Sequence, residues 1–482
     1  MATTKLTFGE WMPDQPGVSG ALTNAKNVVS QAIGYGPLPT AATFSVAASE
    51  NLTTLVSGKT PTNATKLFAA GTTKIFDVSG VGALTDVSKS GGYTPNANVD
   101  RFRFTQFGNV IIGTNNSNPM QAYTLGTSTA FADLAASAPI CKFLTVVRDF
   151  VVTAVTTESA TVYPARVRWS GINDETTWAT SQVTQADFQD IPDGGQIVGI
   201  RGGEFGLVFL EKGIHRMSYI GTPFIFQFDN ISRGKGCIAA GSIAQTQGMS
   251  FFLSDDGFYS CDGQNVIGIG SEKVDRWFFE NADEGAFESM SAAIDPVRKL
   301  VIWNFKTLFA KRQLIIYNFK TQKWTYGDAG ADYISDASTA ATTLEGLDSF
   351  SSSIDALPVS LDSILYIGGK YFLGGTLGPN VVTYNGAPAV GEIVTGDIAP
   401  GARSVITLAR PQVDNGSANV SVSSRVLLNQ DLSFSTPVAA DSENRVSLRS
   451  NGNYHRLKIT PTGANWKTAI AVDIDIVPQG AR

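Results

Sequence analysis

At 482 residues the chain is longer than a single hydrophobic core can fill, so several units or one large repeat are expected. Its residues are 43% hydrophobic and only 16% charged, which is enough apolar surface to fold and too little charge for a disordered chain or for solvated helices. The net charge of −6 comes without any long Lys or Arg run, which excludes a basic patch for tight binding to phosphate backbones.

The 48 glycines, set among frequent Thr, Ser, Asn and Val, suit short strands joined by tight turns, an all-β class. The opening segment, bounded here as 1–43, differs from the rest of the chain. It carries Pro13, Pro16, Pro37 and Pro39 and is expected to be an extended arm laid over the body or over a neighbouring subunit. Its start has no apolar signal core, and no apolar run is long enough to span a membrane. A chain folded in the cytoplasm, without membrane insertion, is therefore expected.

From 44 to 390 one pattern recurs: an apolar strand, a Gly, Asn or Asp turn, and an answering strand. Hairpins are predicted at 102–112, 143–153, 197–209, 243–253, 293–303 and 364–373. Third strands come after them at 213–219 and 257–263, and 313–324 is a further hairpin with Tyr317 and Trp324 flanking its turn. The period of ~40–50 residues is that of radially repeated four-stranded sheets, a β-propeller of roughly six blades, or seven. Tandem β-sandwiches are the alternative, but the repeat is too short and no Pro/Ser-rich linker separates the units. One helix is expected at 273–280, with Val274, Trp277 and Phe278 on one face. The Ser-, Asp- and Leu-rich stretch 344–361 is expected to be a surface connection. Residues 391–482 form a C-terminal antiparallel β domain, with strands at 404–410, 420–428, 445–449, 454–460 and 471–477.

No catalytic, cofactor-binding or metal-ligating residue is assigned, and the chain is not expected to be an enzyme. His215 and His455 sit inside strands beside Arg216 and Arg456 and are expected to be half-buried polar residues, and no zinc spacing exists. Asp255, Asp256 and Gly257 make a hairpin turn. Asp187, Asp190 and Asp193 could attract calcium, but their spacing matches no EF-hand loop, and a solvated loop is expected. The glycine-rich stretches 234–241 and 268–273 lack the Gly-Lys-Ser/Thr of a phosphate loop. Cys141, Cys237 and Cys261 are too few for a disulfide framework and are expected to behave as small buried hydrophobes.

Three stretches carry a resemblance: Phe8 to Val29 with Gly34 to Pro37; Val167 to Trp178 running on through Ala186 to Pro192; and Gly236 to Gly241 with Phe251 to Tyr259 and Val274 to Phe278. Together with Asn453 to Lys458 they resemble the tail nozzle or tail-tube protein family of short-tailed, podovirus-type bacteriophages. The match is poor only from about 344 to 400. The resemblance implies a propeller and a structural virion protein of the phage tail, assembled in the host cytoplasm. It further implies a homo-oligomeric ring, a hexamer, below the portal and the tail adaptor protein. Tail fibre or tip proteins would meet it, and phage DNA would pass through the lumen, conducted and gated at ejection without sequence-specific binding. The competing expectation is a carbohydrate- or receptor-binding propeller acting in host adhesion, with Trp178 and Tyr163 as sugar-stacking candidates. A propeller lyase or glycosidase would need carboxylates or a His/Tyr base at the channel mouth.

Overall fold

The computed structural model describes residues 2–60, 65–80, 82–95, 101–246, 248–338, 353 and 371–479. Within them the chain forms seven antiparallel four-stranded blades. The first strands of the blades lie around a common axis: Thr54–Lys59, Arg103–Phe107, Ile140–Val147, Ile197–Arg201, Ala244–Thr246, Ser291–Asp295 and Tyr333–Ala337. The strand Tyr333–Ala337 packs against Thr54–Lys59, so the ring closes on itself. The fold is a β-propeller, and seven is the upper of the two expected blade counts.

The expected hairpins fall on blades two to six. The blade in front of them uses Thr54–Lys59, Thr65–Ala70, Ile75–Val78 and Leu84–Asp86. The expected connection at 344–361 and most of the hairpin at 364–373 lie outside the described residues. The described hairpin of blade seven is Phe372–Leu377 with Asn380–Thr383. Its outer strand comes from the far end of the chain, where Ala42–Thr43 pairs with Thr383 and Val382. The last blade needs a fourth strand to match the others, and here the segment 1–43 supplies it.

The same segment also enters the C-terminal domain. Ala2–Thr7 and Tyr35–Pro37 pair with Thr468–Pro478, in a sheet that continues through Ser404–Asp414 to Val446–Gly452. The facing sheet contains Glu392–Val394, Tyr454–Thr462 and Ser417–Arg425. Strict in-out alternation along Tyr454–Thr462 buries one face of it against the first sheet. Asn24–Lys26 pairs with Glu392–Val394 on one side and meets the outer strand of blade six, Lys323–Asp328, on the other. One nine-stranded sheet therefore runs from the propeller into the C-terminal domain. Its hydrophobic core is also continuous, from Phe258, Trp303 and Trp324 through Trp11 and Leu22 to Ile406, Leu457 and Ile474.

Polar ties reinforce this joint. The expected helix is present as Asp275–Asn281. Its own N-cap position, Val274, has no capping side chain. Instead the Asp14 carboxylate accepts the N–H groups of Arg276 (3.0 Å) and Trp277 (2.9 Å). Trp11 packs edge-on to Trp277 and stacks on Tyr326, each at 5.0 Å between ring centroids. In the C-terminal domain a buried Asp397 accepts both nitrogens of the Arg456 fork (2.7 and 3.0 Å) and one of Arg425 (2.6 Å). Burial alone would raise the Asp397 pKa, but the two guanidiniums more than offset it and hold the carboxyl below its ordinary range.

Two substitutions probe these buried carboxylates. Asp397→Ala leaves two enclosed guanidiniums without their counter-ion, so it should destabilise the chain by about 3–5 kcal/mol in denaturant unfolding. Asp275 is the reverse case: burial pushes its carboxyl from 3.8 up to about 7, helped by Asp14 and Asp256 and opposed by the Phe258 N–H. Between those pH values the unfolded chain has released this proton and the native chain has not, so native stability falls as pH rises through that window. Asp275→Asn keeps an acceptor for the Phe258 N–H. Its melting temperature should exceed the parent's above pH 7 and converge with it below pH 4.

Candidate functional site in the axial cavity

All seven inner strands contribute to one solvent-open cavity of about 450 Å³ on the propeller axis. Arg101, Phe102, Arg103 and Phe104 all line it, and Phe102 also packs into the core between the first two blades. Arg201, at the end of the blade-four strand, and Asp336, on the blade-seven strand, line the same space, with Gln245 and Ser335. Among the described residues its charged lining is Arg101, Arg103, Arg201 and Asp336.

These side chains are held in place by main-chain carbonyls and ring faces. Arg101 donates to the Met290 carbonyl (2.6 Å) and lies 4.6 Å from the Tyr333 ring centre; Arg312 approaches the same ring at 5.1 Å. Arg103 lies 4.7 Å from the Phe143 ring centre. Arg201 donates to the carbonyls of Ile200 (3.1 Å) and Ile243. Burial pulls Arg201 down to about 10, with Arg103 adding to the effect, and burial and Arg103 lower Arg101 as well. All three remain cationic at neutral pH. Enclosure raises the Asp336 carboxyl above its ordinary range, with Arg201 opposing.

The residues weighed from sequence lie apart from this cavity. His215 is buried, with Nε2 3.4 Å from Asp193 and 3.3 Å from the Asn230 amide. His455 is fully buried between Ser424 (2.6 Å at Nδ1) and Ser404 (2.9 Å at Nε2). Burial lowers the pKa of both imidazoles. The three carboxylates of the candidate calcium loop go separate ways. Asp187 and Asp190 are in a strand and Asp190 is forked by Arg166 (2.7 and 2.9 Å), while Asp193 faces His215. Among the described residues no group of three potential metal ligands comes together. Asp256 caps its turn by pairing with Lys235 and accepting the Tyr259 hydroxyl (3.0 Å).

Two glycines of 234–241 serve packing, since a Cβ at Gly236 would lie 2.2 Å from the Leu210 carbonyl and one at Gly241 1.9 Å from that of Met290, while Gly234 supplies a positive φ of 82°. Of the two sugar-stacking candidates, Trp178 is wholly buried and donates to the Glu175 carbonyl (2.8 Å), so its face is unavailable. Tyr163 is half-buried under the Arg166 guanidinium, 3.7 Å away. The three cysteines are free and buried. Sequence reasoning passed over Arg101, Arg103, Arg201 and Asp336. The signal was there in Arg101 and Arg103, two cations at the start of a blade's first strand, which borders the axis.

No protein-family model matches the chain, and no curated protein matches it. Among solved structures it is similar to the Pan2 WD40 domain of Neurospora crassa (7% identity, TM-score 0.38, covering 72% of this chain and 96% of that one). It is also similar to the WD40 domain of Toxoplasma gondii coronin (8%, 0.37, 75% and 86%) and to the exo-β-1,3-galactanase of Phanerochaete chrysosporium (9%, 0.27, 80% and 98%). At these levels nothing about function passes from them to this chain, and the propeller stands on its own strand order.

Gly241→Ala would press on the Met290 carbonyl and on the Arg101 guanidinium that it holds. Because the Cβ would meet backbone, a loss of about 1–3 kcal/mol is expected in thermal or denaturant unfolding.

Proposed function

We propose that the chain is a structural subunit of the tail nozzle of a short-tailed bacteriophage, assembling into a ring of identical copies through which DNA passes. The observation that carries this reading is where the residues of the resemblance lie. Trp11, Asp14, Trp277 and Phe278 meet at the joint between propeller and C-terminal domain, Trp169 and Trp178 are buried in blade three and its loops, and Tyr454 to Lys458 form the strand that extends the shared sheet. Such residues stiffen a body, as a part under load requires. The axial cavity, at about 450 Å³, is too small to pass a duplex, so the conduit in this reading lies between subunits.

A closed ring needs two different patches on each subunit. Two apolar hairpin tips on opposite faces of the disc are candidates. Leu308 and Phe309 (83% exposed) lie at the tip between the second and third strands of blade six. Ile220 and Phe224 (75% exposed) lie between the third and fourth strands of blade four. Removing residues 1–43 cannot test the assembly, because it takes strands from both bodies. The purified chain, viewed by negative-stain electron microscopy and weighed by mass photometry, should form rings. Phe309→Asp with Phe224→Asp should dissolve them without lowering the melting temperature. A chain that stays monomeric at micromolar concentration and never joins a phage tail would overturn the reading.

A further inference from the structure

The carboxylates of Asp14, Asp256 and Asp275 lie near one another where the N-terminal segment crosses the helix Asp275–Asn281, and they are compensated unequally. Asp14, with 7% of its side chain exposed, accepts the Arg276 N–H at one oxygen and the Trp277 N–H at the other. Asp256 has Lys235 and the Tyr259 hydroxyl. Asp275 has one main-chain donor, the Phe258 N–H (3.1 Å). Its slot admits little else: a Cβ at Gly257 would lie 2.1 Å from Asp275 Oδ2, and one at Gly270 2.0 Å from Oδ1.

The charged groups of the surrounding elements have other partners. Lys273 pairs with Glu10 (2.8 Å), and Arg276 reaches Asp14 and Glu280, each at 3.9 Å. Asp255 accepts the Ser254 hydroxyl (3.1 Å), and Glu272 meets the segment through its carbonyl, which accepts the Gln15 amide (2.9 Å). The charges that act on Asp275 are therefore Asp14 and Asp256, both of its own sign. Burial first, then these two, raise its proton affinity against the pull of the Phe258 N–H. A protonated carboxyl suits this slot. A carboxylate there repels Asp14, the side chain by which the segment holds the helix.

We propose that Asp14 and Asp275 form a proton-gated latch on the N-terminal segment. With Asp275 protonated, the segment around Asp14 is clamped to the helix; with Asp275 ionised, it lifts locally while the blades stay folded. The closed latch binds the proton more tightly than the open one, in which water reaches Asp275. Closure is therefore favoured at low pH and weakens as pH rises between 3.8 and about 7. The latch lies within one chain, so a failure of ring assembly leaves it untouched.

The test is hydrogen exchange of the full chain from about pH 5 to about pH 8, read by mass spectrometry with each rate corrected for its intrinsic pH dependence. Protection at Arg276 and Trp277 should fall by about tenfold or more across that range, the effect of a one-unit change in proton affinity on opening, while strands of blades three and six keep theirs. Asp275→Asn, checked for a cooperative melt, should hold its protection level. Asp14→Asn keeps an acceptor but removes the repelling charge, and should cut the pH-dependent fall to about half or less. Flat protection in the parent, an equal fall in both variants, or a fall shared by the blades would overturn the latch.

Discussion

Ring closure is the constraint on which the rest of this molecule depends. Seven twisted sheets around an axis bury their faces against one another, but the last sheet can complete its edge only with a strand from elsewhere in the chain. Here that strand is Ala42–Thr43, paired with residues near 383. Once Thr43 is fixed at the rim of blade seven, the residues before it must run back over neighbouring structure. They do so by pairing with the C-terminal sheet through Tyr35–Pro37, with blade six and Glu392–Val394 through Asn24–Lys26, and with the C-terminal sheet again through Ala2–Thr7. These contacts join the two ends of the sequence and cannot form until most of the chain is in place.

The joint this creates is both dry and polar. Trp11, Trp277 and Tyr326 exclude water from the seam, while Asp14 satisfies helix N–H groups that Val274 cannot. Lys273 pairs with Glu10 beside them (2.8 Å). Apolar packing supplies the stabilisation, and the polar bonds select one orientation of the segment, because a slip would strand buried donors. A propeller tied in this way to a second sheet moves with it as one body.

Much of this was legible in the sequence. The hairpins of blades two to six are local, each an apolar run, a Gly or Asp turn and an answering run. The first blade carries the same signal, with Leu67 to Ala70 answered across Gly71 by Ile75 to Val78. The helix at Asp275–Asn281 and the alternation of Tyr454–Thr462 were equally plain. The path of residues 1–43 was not, because strands of two or three residues such as Ala42–Thr43 and Asn24–Lys26 have no periodicity to read, and their partners are hundreds of positions away. The axial site was half legible. The arginines alternate with phenylalanines as strand residues should, but only ring closure shows that Arg103, Arg201 and Asp336 face one space.

That convergence is costly to the fold. Inner-strand positions of other blades are filled by neutral side chains such as Thr145, Ala244 and Ser291. A propeller therefore needs no charge at its axis to close. Arg101 and Arg201 lose part of their hydration there, a cost to which Arg103 adds and which carbonyl and ring contacts offset in part. Packing does not account for them, since Leu or Met would fill the same volume at lower cost.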